Sequence, residues 1–130
     1  MPYAMLSKQF TFDAAHHLPH HGGKCARPHG HTYTLEVTVR GPIKQALSKS
    51  DHGMVLDFAD LSHIVKEAVI ARLDHYDLNI VTGVYTTVEN LIHWIWDALV
   101  AAGLPDDLLY RIRLWETPTS FVEITHAERG

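Results

Sequence analysis

Alternating apolar and polar residues predict two long strands in the first third of the chain. In Tyr3–His16, one set of alternate positions is mainly apolar and the other polar, with Lys8 as the exception on the apolar side. Residues 31–40 alternate without exception, with Tyr33, Leu35, Val37 and Val39 on one side. Between these strands, residues 17–30 are rich in proline and glycine and predict a loop.

Apolar residues at helical spacing predict two helices in the second half of the chain. Asp57 is suited to cap the first helix, which we expect to run to about Leu73. The second helix spans about residues 87–102, because its apolar stripe ends just before Gly103 and Pro105.

Two further alternating segments, residues 108–116 and 120–126, predict a final pair of strands with a turn at Pro118. Residues 41–53 predict an irregular connection, and residues 54–56 a short extended piece. The predicted order is therefore strand, strand, helix, helix, strand, strand. This order indicates an α+β fold, a single domain over residues 1–130 with one four-stranded antiparallel sheet and two helices on one face.

Composition narrows the class of protein. The chain has 130 residues, 46% of them hydrophobic, and a net charge of −4, which does not supply the basic surface of a nucleic-acid binder. No apolar run of membrane-spanning length is present, and the first ten residues do not resemble a signal peptide. A single cysteine, Cys25, allows no internal disulfide, so we expect a cytoplasmic, reduced setting.

Histidine is the unusual component, because the 11 histidines equal the number of lysines and arginines together. His29 and His31 lie two residues apart in an extended segment, so both imidazoles point to one side. His16 ends the apolar side of the preceding strand. Three imidazoles can hold zinc and leave its fourth position open for a substrate. The alternative is that the two histidines are exposed on the surface and bind no metal.

Cys25 has three interpretations that spacing does not separate. It is a small buried filler, a fourth zinc ligand that closes a structural site, or a thiolate beside the metal that acts as a base or nucleophile. Lys24 and Arg27 flank it, and either stabilise a thiolate or bind phosphate groups.

Two other groups are candidates for chemistry. Asp74 and His75 suggest an orienting or proton-relay pair, but adjacent residues on a helix do not face each other, so the pair needs a non-helical backbone or a third partner. The alternative for His75 is a favourable position at a helix C-terminus. Glu116 shares its side with apolar residues of its strand, where a carboxylate can accept paired N–H groups from a flat heterocycle or turn out to solvent.

The segment before the second helix has a simpler explanation. Thr86 and Glu89 have the spacing of a capping box, with Thr87 between them. We therefore interpret most of this stretch as the start of a helix.

Six motifs in this order resemble the 6-pyruvoyltetrahydropterin synthase-like family over nearly the whole chain. They are Phe12-Asp13-Ala14-Ala15-His16, Lys24-Cys25-Ala26-Arg27-Pro28-His29-Gly30-His31, Gly53-Met54-Val55-Leu56-Asp57-Phe58, Leu73-Asp74-His75 with Leu78-Asn79, Val88-Glu89-Asn90, and Glu116-Thr117. The spacing from Cys25 to His29 is similar to that of the bacterial branch, the 6-carboxytetrahydropterin synthases of the queuosine and 7-deazapurine pathway.

The resemblance implies a tunnelling fold, whose subunits assemble into a barrel, usually as a hexamer with active sites between subunits. It also implies conversion of a pterin triphosphate, 7,8-dihydroneopterin triphosphate, to 6-carboxy-5,6,7,8-tetrahydropterin, acetaldehyde and triphosphate. Formation of a 6-pyruvoyl product is the enzymatic alternative. A non-catalytic protein with a closed zinc site is the alternative from another class.

The resemblance also assigns roles to residues. Zn²⁺ would be held by His16, His29 and His31. Cys25 would accept a proton, with Asp74 and His75 completing the relay, so that His75 serves the cysteine of a neighbouring subunit. Glu116 would anchor the pterin ring. The further expected substrate contacts are Lys24, Arg27, Thr87 and Glu89. Family members often have Pro-Thr where this chain has Thr86-Thr87, and a basic residue at the position of His17.

Overall fold

A single four-stranded antiparallel sheet organises the molecule. The computed structural model describes residues 1–130. The strands are β1 (Tyr3–His16), β2 (His29–Pro42), β3 (Leu109–Thr117) and β4 (Ser120–Thr125). They lie in chain order across the sheet, and each pairs only with its sequence neighbours. The β1–β2 ladder is the longest and runs without interruption from Tyr3↔Pro42 to His16↔His29.

The helical segments connect β2 to β3. Helix α1 (Phe58–Val65) begins at Asp57, whose side chain accepts from the backbone N–H of Ala59. It continues through a π-helical turn (Lys66–Ile70) into α2 (Ala71–Leu73). A short α3 (Leu78–Thr82) precedes the long α4 (Val88–Ala101). No helix of the chain is both long and apolar enough to cross a membrane.

One face of the sheet is buried under these helices. Alternate residues of the strands enter the core together with the apolar stripes of α1 and α4, as the period-two and helical patterns predict. The fully buried members include Leu35, Val37, Leu61, Ile95 and Ile112. The opposite face is largely polar, with contacts such as Ser7 Oγ to Thr38 Oγ1 at 2.6 Å. This arrangement confirms the predicted α+β fold with helices on one face.

Several predicted boundaries were wrong. Strand β2 begins at His29 and not at residue 31, because its pairing with β1 extends to the end of that strand. The final strand ends at Thr125, which caps a 3₁₀ turn (His126–Arg129) together with Glu128. Residues 54–56 pair with no strand. Helix α3 and the 3₁₀ turn that contains Cys25 (Lys24–Ala26) were not predicted.

Candidate metal centre and adjoining cavity

Three histidines converge where the β1–β2 ladder ends. His16 and His29 are directly paired across the ladder, and His31 lies opposite Ala14, two residues before His16. Opposite residues of an antiparallel pair share a face, so all three imidazoles project to the same side. One nitrogen from each ring lies within 4.8 Å of the others. The ladder therefore builds the group that the sequence predicted.

Backbone carbonyls orient two of these rings. His16 Nδ1 donates to the carbonyl oxygen of Thr86 at 2.9 Å, and His29 Nδ1 donates to that of Arg27 at 2.8 Å. Donation through Nδ1 leaves the lone pair on Nε2, which is the tautomer of a metal-bound imidazole whose other nitrogen is hydrogen-bonded.

The burial and the charge state of these imidazoles also suit the binding of a cation. His16 is only 2% exposed, and Nε2 of His16 and Nε2 of His31 are buried without a hydrogen-bond partner. Burial lowers the pKa of both imidazoles below 6.5, although the nearby Glu116 carboxylate opposes that shift. Neutral imidazoles with free, inward-facing lone pairs suit Zn²⁺.

A cavity of about 470 Å³ opens beside the histidine group. This volume lies within the range of small-molecule sites. Its lining residues are Lys24, Cys25, Arg27, His29, His31 and Glu116. The Cys25 sulfur is not among the atoms that lie within 4.8 Å of one another in the histidine group. In this arrangement Cys25 borders the centre without joining it.

Glu116 and Tyr33 form the inner side of this region. Oε1 of Glu116 lies 3.6 Å from Nε2 of His31. Trp115 pairs with Thr34, and extending this register by one residue places Glu116 opposite Tyr33. Tyr33 is fully buried and stacks on Phe12, with ring centroids 5.0 Å apart. Burial and the negative charge of Glu116 raise the pKa of its hydroxyl, which has no hydrogen-bond partner.

Asp74 and His75 form a pair of their own. Nδ1 of His75 lies 3.0 Å from Oδ2 of Asp74, which requires the non-helical backbone expected from their adjacency. His75 has a φ of 64°, and its N–H donates to the carbonyl oxygen of Asp13 at 2.6 Å. The backbone N–H of Asp13 donates to Asp74 and, together with His75, lowers the pKa of the Asp74 carboxyl.

This pair does not line the cavity that contains Cys25. His75 lines a different cavity, of about 560 Å³, together with Asp13, Gly30, His31 and Thr32 among others. Asp13, Gly30 and Thr32 belong to the set of strand positions opposite to that of His16 and His29. One chain therefore presents the acid–imidazole pair and the cysteine in two separate places.

The predicted capping box at the start of α4 was wrong. The cap is Thr87, which accepts from the N–H of Asn90 at 3.3 Å. Thr86 is fully buried, and its hydroxyl lies 3.2 Å from both His16 Nδ1 and Asn79 Oδ1, so it does not cap the helix. Neither Thr87 nor the exposed Glu89 lines the Cys25 cavity.

Asn79 belongs to this site, although its motif, Leu78-Asn79, predicted no role for it. Its Oδ1 accepts from the N–H of His17 at 2.9 Å, and its Nδ2 donates to the carbonyl oxygen of His17 at 2.8 Å. Together with Thr86, Asn79 connects His17, the residue after the first histidine of the group, to the segment before α4. The only sequence signal for this role is an asparagine at the start of a short apolar segment, which does not reveal the distant partner.

The fold and this site define a tunnelling-fold domain with a three-histidine candidate metal centre beside a cysteine-lined cavity. Residues 5–127 match the family described as "6-pyruvoyl tetrahydropterin synthase". The chain belongs to this family.

Relatives that carry two different enzyme names match this chain over most of its length and of theirs. The 6-carboxy-5,6,7,8-tetrahydropterin synthase of Haemophilus influenzae is 40% identical, with 91% of this chain and 96% of that protein covered. The Synechocystis protein of the same name is also 40% identical, over 89% and 88% of the two chains. The human 6-pyruvoyl tetrahydrobiopterin synthase is 35% identical over 92% and 89%.

A solved structure agrees with the fold. The Caenorhabditis elegans 6-pyruvoyl tetrahydropterin synthase superposes with a TM-score of 0.84 at 25% identity, covering 96% of both chains.

Proposed function

We propose that this chain is a zinc-dependent 6-carboxy-5,6,7,8-tetrahydropterin synthase that acts on 7,8-dihydroneopterin triphosphate. One molecule of water would be consumed, and the products would be the 6-carboxytetrahydropterin, acetaldehyde and triphosphate. The observation that carries the proposal is the group of three imidazoles, two with buried and unpartnered Nε2 atoms, beside a cavity containing Cys25 and Glu116. The 40% identity to two relatives with this name supports the choice of reaction.

His16, His29 and His31 would hold the zinc ion, which when bound polarises side-chain oxygens of the substrate and acidifies the neighbouring C–H bonds. Cys25 would accept a proton from the substrate side chain, because it lines the cavity beside the histidine group together with Lys24 and Arg27. These two cations also suit the triphosphate. Glu116 accepts N–H bonds from the pterin ring, because its carboxylate faces the same cavity. Thr87 and Glu89 are further proposed substrate contacts, and both lie outside this cavity.

The position of Asp74 and His75 supports an active site shared between subunits. Within one chain His75 lines a different cavity from Cys25, so His75 would serve the cysteine of a neighbouring chain in a homo-oligomer, here proposed as a hexamer. Their geometry suits a proton relay, because a carboxylate 3.0 Å from Nδ1 orients the imidazole ring. A cytoplasmic location fits a site that needs its single cysteine reduced.

A 6-pyruvoyl product is the second candidate. The family description and the human relative favour it, and the same residues would serve both reactions. Product identity separates the two, because only the carboxy-forming reaction releases acetaldehyde.

The test is incubation of zinc-loaded protein with 7,8-dihydroneopterin triphosphate, followed by mass spectrometry of the pterin product and an assay for acetaldehyde. We expect a 6-carboxy product with acetaldehyde. A pyruvoyl product would move the assignment to the second candidate, and no conversion would refute both.

Variants test the roles of the site residues. Cys25→Ala should retain one zinc per chain and lose turnover, whereas His29→Ala should lose the metal. His20→Ala removes a histidine outside the group and serves as the matched control. If Cys25→Ala loses zinc, Cys25 is a ligand and the open-site proposal fails.

A further inference from the structure

Tyr33 carries a buried hydroxyl group that forms no hydrogen bond in the core. The side chain is fully buried, and its ring is stacked at 11° on Phe12 of the neighbouring strand. The hydroxyl has no hydrogen-bond partner. A buried polar group without a partner destabilises a fold, and phenylalanine would keep the stacking without this cost. Packing therefore accounts for the ring but not for the hydroxyl.

The position of Tyr33 in the sheet links this hydroxyl to the candidate site. It lies two residues after His31 on the same face, with ring centroids 5.6 Å apart. It is also 6.3 Å from the His16 ring by the same measure. On its other side β3 carries Glu116, which the register places opposite Tyr33.

Glu116 needs a donor that the surrounding residues do not supply. The carboxylate accepts no hydrogen bond within the chain, and its nearest cationic candidate is Nε2 of His31 at 3.6 Å. That nitrogen is a proposed metal ligand, and a ligating imidazole nitrogen has no proton to donate to Glu116. The Tyr33 hydroxyl is a donor without an acceptor, and the residue opposite it in the strand register carries an acceptor without a donor.

We propose that Tyr33 is a positioning residue for Glu116, whose carboxylate it holds by a hydrogen bond in the orientation that receives a pterin ring. The inference rests on the proposed function, since it takes Glu116 as the ring anchor. Because the hydroxyl is itself buried, it acts through Glu116 and does not contact the ligand. The two side chains are not hydrogen-bonded in the structure, so the proposed bond forms when the ligand orders the carboxylate.

Tyr33→Phe tests the proposal, since it removes the hydroxyl and keeps the aromatic stack. We expect unchanged zinc content and a Tm equal to or above that of the unmodified protein. The dissociation constant of pterin, the unsubstituted ring used as a fluorescent probe, should rise about tenfold. KM for 7,8-dihydroneopterin triphosphate should rise similarly, with kcat changed less than about threefold. Tyr110→Phe removes a hydroxyl from a tyrosine that is 40% exposed and is the control.

A double-mutant cycle with Glu116→Ala tests the route of the effect. In the Glu116→Ala background, Tyr33→Phe should not weaken pterin binding further, because the group through which it acts is absent. The proposal is overturned if Tyr33→Phe binds pterin as tightly as the unmodified protein, or if its full effect persists without Glu116. Failure of the proposed function is seen separately, as absence of turnover by the unmodified protein, while the cycle is still measured on pterin binding.

Discussion

Replacing Asn79 with alanine should weaken both the fold and the metal centre. Asn79 joins the His17 backbone by two hydrogen bonds, of 2.9 and 2.8 Å, and meets the Thr86 hydroxyl at 3.2 Å. His17 follows a proposed ligand directly, and Thr86 supplies the carbonyl that accepts from His16. The variant therefore loosens both segments that orient this imidazole.

The magnitude follows from the groups left unpaired. Leaving a buried donor or acceptor unsatisfied costs about 1–3 kcal/mol. Asn79→Ala removes the partner of the half-buried His17 N–H, whereas the His17 carbonyl and the Thr86 hydroxyl still contact each other at 3.4 Å. We expect the metal-free protein to lose about 1–2 kcal/mol of unfolding free energy. Loss of groups that orient a ligand typically lowers metal affinity by about 10–100-fold.

Two measurements separate these effects. Urea unfolding of chelator-treated protein reports the first, and competition with a chromogenic zinc chelator reports the second. Asn79→Asp is the matched variant, because it keeps the acceptor for His17 N–H and loses only the donor. It should fall between alanine and the unmodified chain in both assays. If Asn79→Ala destabilises the fold but binds zinc with unchanged affinity, the network does not position His16 and the reasoning is wrong.

Three other predictions follow from the same structure. Burial lowers the pKa values of His16 and His31 below 6.5, so the unfolded chain takes up protons before the folded chain as the pH falls through 6.5. The urea concentration at the unfolding midpoint of metal-free protein should therefore be steady above pH 6.5 and decrease as the pH is lowered further. Zinc affinity should weaken over the same pH range. His75→Gly should be about 1 kcal/mol more stable than His75→Ala, because only glycine relieves the φ of 64°, while both lose turnover; equal unfolding free energies would contradict this. Gly41→Ala should lower stability by about 1 kcal/mol, since its Cβ would lie 2.7 Å from Leu108 Cδ2 and 3.2 Å from Val55 Cγ1; Gly30→Ala, with a nearest contact of 3.7 Å, is the control in thermal unfolding.

Periodicity predicted the sheet and made the three histidines a candidate group, with surface histidines as the alternative. Side chains of a strand alternate strictly, so His29 and His31 share one side, and the β1–β2 register then brings His16 to that side. The same argument placed Glu116 beside apolar neighbours. The boundary of β2 could not be predicted, because Pro28 and Gly30 favour a loop locally, whereas pairing with β1 extends the strand to His29.

The parts that were missed depend on contacts between distant segments. Thr86 has the spacing of a capping residue, but its hydroxyl is taken by His16 and Asn79, and the cap moves to Thr87. The role of Asn79 rests on His17, which is 62 residues away in the chain. The separation of His75 from Cys25 likewise depends on which face of the sheet each segment reaches, and no local pattern encodes that.

The pairing of His16 with His29 has a consequence for the segment between them. These two residues flank residues 17–28, the segment that contains Cys25. An ion bound to both histidines would close this segment into a loop through its coordination bonds. An ion that binds only the folded state adds stability by mass action, and it restrains both ends of residues 17–28 while it is bound. A chain whose one cysteine must stay reduced would thereby gain a reversible crosslink of the kind that disulfides supply elsewhere. Amide hydrogen exchange in residues 17–28 would then report metal occupancy directly, slowing when zinc is added and recovering when it is withdrawn.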